Sequence, residues 1–267
     1  CGPQSGKSSA LRTIVSALAL RHSPKAARFY VIDLGGGQLA SLERLPHVAG
    51  VAGREEGEKV RRIVDEVAGF IRRPERCATF LVIDGWHHIG TSNAEFEDIA
   101  EKVTEIVADG ASAHVHVIIA TSRWTTMRPA IRDLIANRLE LRLGEALDSL
   151  IDRKLQQKLP CAPGRGLTLT GENMLLARTS NQDIAHICRV HAEAQPVPQL
   201  KMLPAVLTPA ALAAQGDVPA REIAWGIGGR DLDTLTWNPS REPHLVAIGA
   251  QGCGKSTFLA QIMRGIC

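Results

Sequence analysis

The sequence predicts an α/β chain: a mostly parallel sheet with helices on both faces, the plan begun twice in tandem. Three observations carry this. Apolar runs of strand length at 28–33, 79–84 and 114–121 are largely continuous, as strands covered on both faces require. Between them lie segments with apolar residues at helical spacing, clearest over 56–72 at positions 60, 63, 64, 67, 70 and 71. A glycine-containing loop ending Gly6-Lys7-Ser8 opens the chain, and Gly254-Lys255-Ser256 repeats that ending near the other terminus.

The elements follow in order. The helix expected over 9–20 sets apolar residues at 10, 11, 14, 15 and 18 behind the first loop, and Ser23-Pro24 breaks it. Strand 28–33 closes on Asp33 and runs into Gly35-Gly36-Gly37, a turn whose backbone angles favour glycine. A short helix at 39–45 and a strand-like step from Pro46-His47-Val48 precede the 56–72 helix. Strand 79–84 ends on Asp84, a helix occupies 95–109, and strand 114–121 leads to Thr121-Ser122-Arg123. Residues 129–136 read as helix. Charge and leucine alternate at period two over 138–143, which predicts a strand with one wet face. A helix at 148–159, a turn at Pro163-Gly164-Arg165-Gly166, short strands at 167–170 and 174–178 and a helix at 180–194 complete a first domain, 1–194, that lacks the strand expected before its loop. The proline-bearing stretch 195–220 reads as a linker. Residues 221–267 begin a second such domain, with the apolar run 244–248 as a buried strand ahead of its loop.

Residues 249–256, Gly-Ala-Gln-Gly-Cys-Gly-Lys-Ser, spell G-x-x-x-x-G-K-[ST] in full. In such a loop backbone N–H groups cradle phosphates, the lysine reaches the β/γ-phosphates and the serine hydroxyl ligates Mg²⁺ at a helix N-terminus. The first copy carries Cys1 where the pattern has its first glycine, which leaves open a loop without nucleotide. ATP with Mg²⁺ is the expected ligand. Its candidate contacts are Gly2, Pro3, Gln4, Ser5, Gly6, Lys7, Ser8 and Ser9 in the first loop. In the second they are Gly249, Ala250, Gln251, Gly252, Cys253, Gly254, Lys255, Ser256 and Thr257.

Four apolar residues closing on Asp84 form the Walker B pattern, whose carboxylate holds Mg²⁺; the competing reading is a structural turn aspartate. Ser8, Asp84 and Ser256 are therefore the candidate metal ligands. Asp33, Asp84 and Thr121 are expected to converge at the carboxyl edge of the sheet. ATPases of this class that hydrolyse usually place glutamate after the Walker B aspartate, and here Gly85 stands there. His87 and His88 follow, as packing groups or as a surrogate base. Arg138 and Arg123 are candidates for an arginine that completes a neighbouring domain's site, with surface solvation or a structural ion pair as the alternative.

A formal charge of +3 is too small to argue for nucleic acid or an anionic membrane. Hydrophobic content of 45% with 22% charged residues is that of a globular protein with a substantial core. The six cysteines show no C-x-x-C spacing and two fall in the loops, which fits a reducing compartment rather than a disulfide framework. No apolar run approaches a membrane span.

Phe29-Tyr-Val-Ile-Asp-Leu-Gly-Gly-Gly37, Leu45-Pro-His-Val48, Phe80-Leu-Val-Ile-Asp-Gly-Trp86, His116-Val-Ile-Ile-Ala-Thr121 and Pro163-Gly-Arg-Gly166 occur in that order. Together they resemble the EccC family, the tandem FtsK/SpoIIIE-type ATPases of bacterial type VII (ESX) secretion. The resemblance implies P-loop NTPase (RecA/FtsK-like) domains, this chain covering the second of three and the start of the third. It implies a ring-forming motor, hexameric by family, held at the cytoplasmic face of the plasma membrane by an anchor elsewhere in the protein. Implied partners are the neighbouring ATPase domains, the membrane subunits of the secretion system and exported helical-hairpin WXG100/Esx and PE/PPE-type proteins. It further implies ATP binding with weak or no hydrolysis, with which Gly85 and Ser122 agree, Ser122 standing where DNA translocases carry a γ-phosphate-sensing glutamine. An insert usual between the equivalents of Glu75 and Cys77 is missing. The alternative is a double-stranded DNA translocase of the FtsK class, which needs a glutamate after Asp84 and normally a winged-helix domain. A structural repeat that has lost its nucleotide is a third reading.

Overall fold

The computed structural model describes residues 4–90 and 96–266. The chain divides into two compact units at Leu200/Lys201, inside the stretch expected to be linker.

In the first unit, four parallel strands lie in the order β2-β1-β3-β4: β1 (Ala27–Asp33), β2 (Val48–Gly53), β3 (Ala78–Asp84) and β4 (Val115–Ala120). The β1–β3 register pairs Asp33 with Asp84, so both strands deliver a carboxylate to the same sheet edge. Helices cover both faces. On one, α2 (Gly57–Arg72) and α4 (Glu97–Asp109) bury Val60, Ile63, Val64, Val67, Ile99, Val103 and Ile106 against Tyr30, Ile32, Leu81 and Ile83. On the other, α1 (Lys7–Arg21) and α7 (Asn181–Val190) bury Leu11, Val15, Ala19, Ile184 and Ile187 against Phe29, Val31 and Val82. The strand residues alternate between these clusters, which is why the runs read as continuous in sequence. A short α3 (His87–Gly90) follows β3, and the expected start of the next helix, at 95, lies outside the described residues.

The later part of this unit departs from expectation. Residues 138–143 give a strand of only two residues, β5 (Glu140–Leu141), antiparallel to β6 (Arg165–Leu167), which pairs with β7 (Asn173–Leu175). The predicted wet face fails at two positions: Glu140 is buried and Leu139 is 41% exposed, while Leu141 and Leu143 are buried as the alternation expects. The carboxylate is tolerated because four donors replace its water: Trp124 Nε1 at 2.7 Å, Ser149 Oγ at 2.6 Å, Leu150 N–H at 2.8 Å and Gln156 Nε2 at 3.1 Å. The helices expected at 129–136 and 148–159 are α5 (Pro129–Leu134) and α6 (Arg153–Lys158), the latter started by Asp152, whose side chain accepts from Leu155 N–H. Ser180 and Asp183 form a capping box at α7.

Residues 197–200 belong to this unit rather than to a free linker. Val197 N–H donates to Pro46 O and Leu200 N–H to Ala49 O, at 2.9 and 2.8 Å, laying the chain along the outer edge of β2.

The second unit holds α8 (Pro209–Ala213), an antiparallel hairpin of β8 (Ile223–Gly228) and β9 (Asp233–Trp237), and α9 (Lys255–Ile266). The buried strand expected at 244–248 is not formed. Val246 is 78% and Ile248 91% exposed, because no described strand of this unit lies beside the run to pair its backbone or cover its faces.

Candidate functional site

The first loop reaches the sheet edge through its own backbone. Gln4 and Gly6 adopt left-handed angles (φ 56° and 99°), and α1 starts at once at Lys7, with Ala10 N–H on Gly6 O at 2.8 Å. The turn at 163–166 braces the loop: Gly164 N–H donates to Ser5 O at 2.9 Å, and a Cβ on Gly6 would stand 3.0 Å from that nitrogen. Cys1, Gly2 and Pro3, three positions of the expected loop, lie outside the described residues.

Ser8 Oγ donates to Asp84 Oδ2 at 2.5 Å, joining the start of α1 to the end of β3. Asp84 is buried, which raises its pKa; the Ser8 hydrogen bond opposes this, Asp33 reinforces it, and Lys7 and Gly85 N–H oppose it. Burial lowers the Lys7 pKa and the neighbouring Asp84 counters it. An ammonium and a carboxylate, both partly desolvated at a helix N-terminus, make a site for a polyanion with its counter-cation.

This donor set fits Mg²⁺. That ion keeps several waters and takes one or two protein oxygens beside phosphate, so it needs no cage of protein ligands. Among the described residues no group of three or more His, Cys, Asp and Glu could hold a metal. Ser8 and Asp84 are the side chains that would hold Mg²⁺, which when bound would neutralise phosphate charge.

Asp33 converges on the same edge, yet its carboxylate is committed. It accepts from Gly35, Gly37 and Leu39 N–H at 3.2, 3.2 and 2.7 Å, fixing the triple-glycine loop. Gly85 has φ 81°, and a Cβ there would meet Leu34 C at 2.9 Å and Gly35 N at 3.0 Å. Any side chain, glutamate included, would therefore be strained at this position. Trp86 is buried in the core. The His87 and His88 rings lie 4.1 Å apart, and burial lowers both pKa values; His88, Lys7 and Arg54 lower His87 further, and Arg54 lowers His88.

Thr121, Arg123 and Arg138 line a cavity of about 630 Å³ beside β4, with Lys7 at the same wall. Arg138 Nε donates to Ile135 O at 2.9 Å and Nη2 to Arg132 O at 2.7 Å, so its guanidinium pins its own turn; Arg123 is exposed. The loop contacts of Gly164 and the carboxyl contacts of Asp33 were missed by sequence reasoning. Glycine clusters marked both turns but not what the turns touch.

The second loop stands differently. Gly252 and Gly254 take φ 79° and 93°, as such a loop needs, and α9 begins at Lys255. Lys255 Nζ turns back onto Gly249 O and Ala250 O at 2.8 and 2.6 Å. Gln251, Cys253, Ser256 and Thr257 are exposed, and among the described residues no carboxylate meets Ser256.

Comparison with known proteins agrees with this geometry. The profile of the FtsK/SpoIIIE family matches residues 2–196. The ESX secretion system protein EccC of Thermomonospora curvata is 34% identical over 99% of this chain, and ESX-4 secretion system protein EccC4 of Mycobacterium tuberculosis 35% identical over 99%. The chain spans 23% of the length of each. A solved structure of ATPases 2 and 3 of the T. curvata EccC, in complex with a signal sequence peptide, superposes with a TM-score of 0.81 at 33% identity, covering 99% of this chain and 54% of that one. No helix among the described residues is long and apolar enough to cross a membrane. With its phosphate-loop helix docked on a parallel α/β sheet and a family match over most of its length, the chain belongs to the FtsK/SpoIIIE family.

Proposed function

We propose that this chain is an ATP-binding segment of a type VII secretion motor ATPase, and that its first site binds ATP with Mg²⁺ but hydrolyses it weakly or not at all. The observation that carries the reading is the contact of Ser8 with the buried Asp84 beside Lys7, followed by a Gly85 where a glutamate would be strained. In the proposal the backbone of 2–6 and Lys7 hold the phosphates, and Ser8 and Asp84 hold the metal. The second loop, Gly249 to Thr257 with Ser256 toward the metal, is a nucleotide site that needs further strands beside 244–248.

For the whole protein we propose a role in exporting WXG100/Esx and PE/PPE-type proteins from a ring of membrane-anchored subunits at the cytoplasmic face. The likeness to EccC proteins of ESX systems supports this, as does the signal-sequence peptide held by the solved relative. The DNA-translocase alternative is not favoured: the relatives are secretion proteins, and the position after Asp84 is glycine.

Equilibrium titration of the 267-residue chain with ATP and Mg²⁺, alongside a phosphate-release assay, tests the reading. Saturable binding with turnover far below the ~10 s⁻¹ typical of enzymes is expected. Brisk turnover that depends on Lys7, or no binding, sinks it.

A further inference from the structure

Three consecutive glycines follow β1, and their surroundings differ. Gly36 and Gly37 have φ of 121° and 78° with nothing within 4 Å of a Cβ, so glycine there answers to backbone angle alone. Gly35 has no left-handed angle. A Cβ on it would instead lie 2.6 Å from Asp84 Oδ2, 2.8 Å from Cγ and 3.1 Å from Oδ1, so its three nearest atoms all belong to one carboxyl group. Oδ2 is also the atom that accepts from Ser8.

From this we infer that Gly35 is a positioning residue for the metal site: its missing side chain is the space in which the Asp84 carboxylate stands to meet Ser8 and a divalent cation. The loop cannot retreat to make room. Leu34 N–H donates to Asp84 O at 3.0 Å, and Gly35 and Leu39 N–H both donate to the Asp33 carboxylate. With the backbone tied at each end, the carboxylate is what moves when a methyl group arrives. The outer face of Gly35 is exposed, so the surroundings impose no other objection to alanine.

The inference rests on the reading of Ser8 and Asp84 as the metal side of a nucleotide site, and the experiment separates the two. ATP affinity of the full 267-residue chain is measured with Mg²⁺ and with EDTA, for wild type, Gly35→Ala and Asp84→Asn. Gly35→Ala is expected to lose the Mg²⁺-dependent gain by about tenfold, as Asp84→Asn does, while affinity in EDTA stays unchanged. If Asp84→Asn loses that gain and Gly35→Ala keeps it, the inference is overturned and the site reading stands. If wild type shows no Mg²⁺-dependent gain, the site reading falls and Gly35 has no metal site to serve; thermal unfolding decides separately whether Gly35 makes room for the Asp84 carboxylate. Gly35→Ala and Asp84→Ala should be non-additive, the double variant being more stable than the two single losses combined, because the second change removes the atoms that the first displaces. A Gly35→Ala chain too unstable to titrate should recover folding in the double variant. Additive losses, or a double variant that also fails to fold, overturn the inference.

Discussion

The two phosphate loops share the ending Gly-Lys-Ser and a helix that begins at the lysine, but they stand in opposite conditions. The first is braced from behind by Gly164 and faces a buried aspartate that accepts its serine's hydrogen bond. In the second the lysine closes on carbonyls of its own loop, and the serine has solvent before it. The motif supplies half of a site; the other half is a carboxylate brought by a strand distant in sequence. A loop without that strand keeps its backbone shape and loses its electrostatics.

The hardest test of this contrast is Gly85→Glu. If the first site lacked only a side chain, glutamate would restore turnover. We expect instead a loss of roughly 2–4 kcal/mol in denaturant unfolding, from a strained left-handed angle and backbone overlap, with no rise in phosphate release. Next is the pair of lysines. Lys7→Ala should weaken ATP binding by about tenfold or more, the loss of one charge-assisted contact, whereas Lys255→Ala should leave the titration of this chain unchanged. Equal losses would erase the contrast. The glycines give a smaller effect. Gly6→Ala, at φ 99° against Gly164 N, should cost about 1–2 kcal/mol. Gly249→Ala meets only the Cys253 side chain of an exposed loop and should stay within about 0.5 kcal/mol, both glycine variants being read by denaturant unfolding.

The smallest effect is one of pH. His47 is buried at the C-terminal end of α1, its Nε2 2.7 Å from His22 O and its ring 4.7 Å from that of His191. Burial lowers its pKa; the His22 carbonyl opposes this, and the charges of His191 and His22 add to it. The unfolded chain therefore takes up a proton near pH ~6.5 that the folded chain refuses, and stability is lost as pH falls below that value, by at most about 1.4 kcal/mol per pH unit. His47→Gln should flatten the acid side of a melting-temperature profile.

The sheet of the first unit was legible because its strands are largely apolar runs and two of them, β1 and β3, close on aspartate, a pattern that helices do not produce at that length. Ser8 and Asp84 were legible separately, each from its own motif, but the hydrogen bond between them was not. Glu140 was not. Alternation told it to face water, and the donors that bury it come from Trp124, Ser149, Leu150 and Gln156, a meeting that no local pattern records. The 244–248 run failed for a related reason: its composition is that of a central strand, but composition does not supply neighbours. Gly35 was visible as a turn residue and hidden as a spacer, because the atom it makes room for lies across the sheet edge in another strand.

The run of residues 197–200 along β2 has a colloidal consequence. β2 reads Val-Ala-Gly-Val-Ala-Gly, with no charge and no proline, at the margin of the sheet. Left open, such a margin would be a template for strands of other molecules. The chain covers it with its own backbone, with Leu200 packed 3.3 Å from where a Cβ on Gly50 would stand. A cut after residue 194 would strip that cover, open the backbone of β2 to other strands, and remove Val197 from the core beneath it.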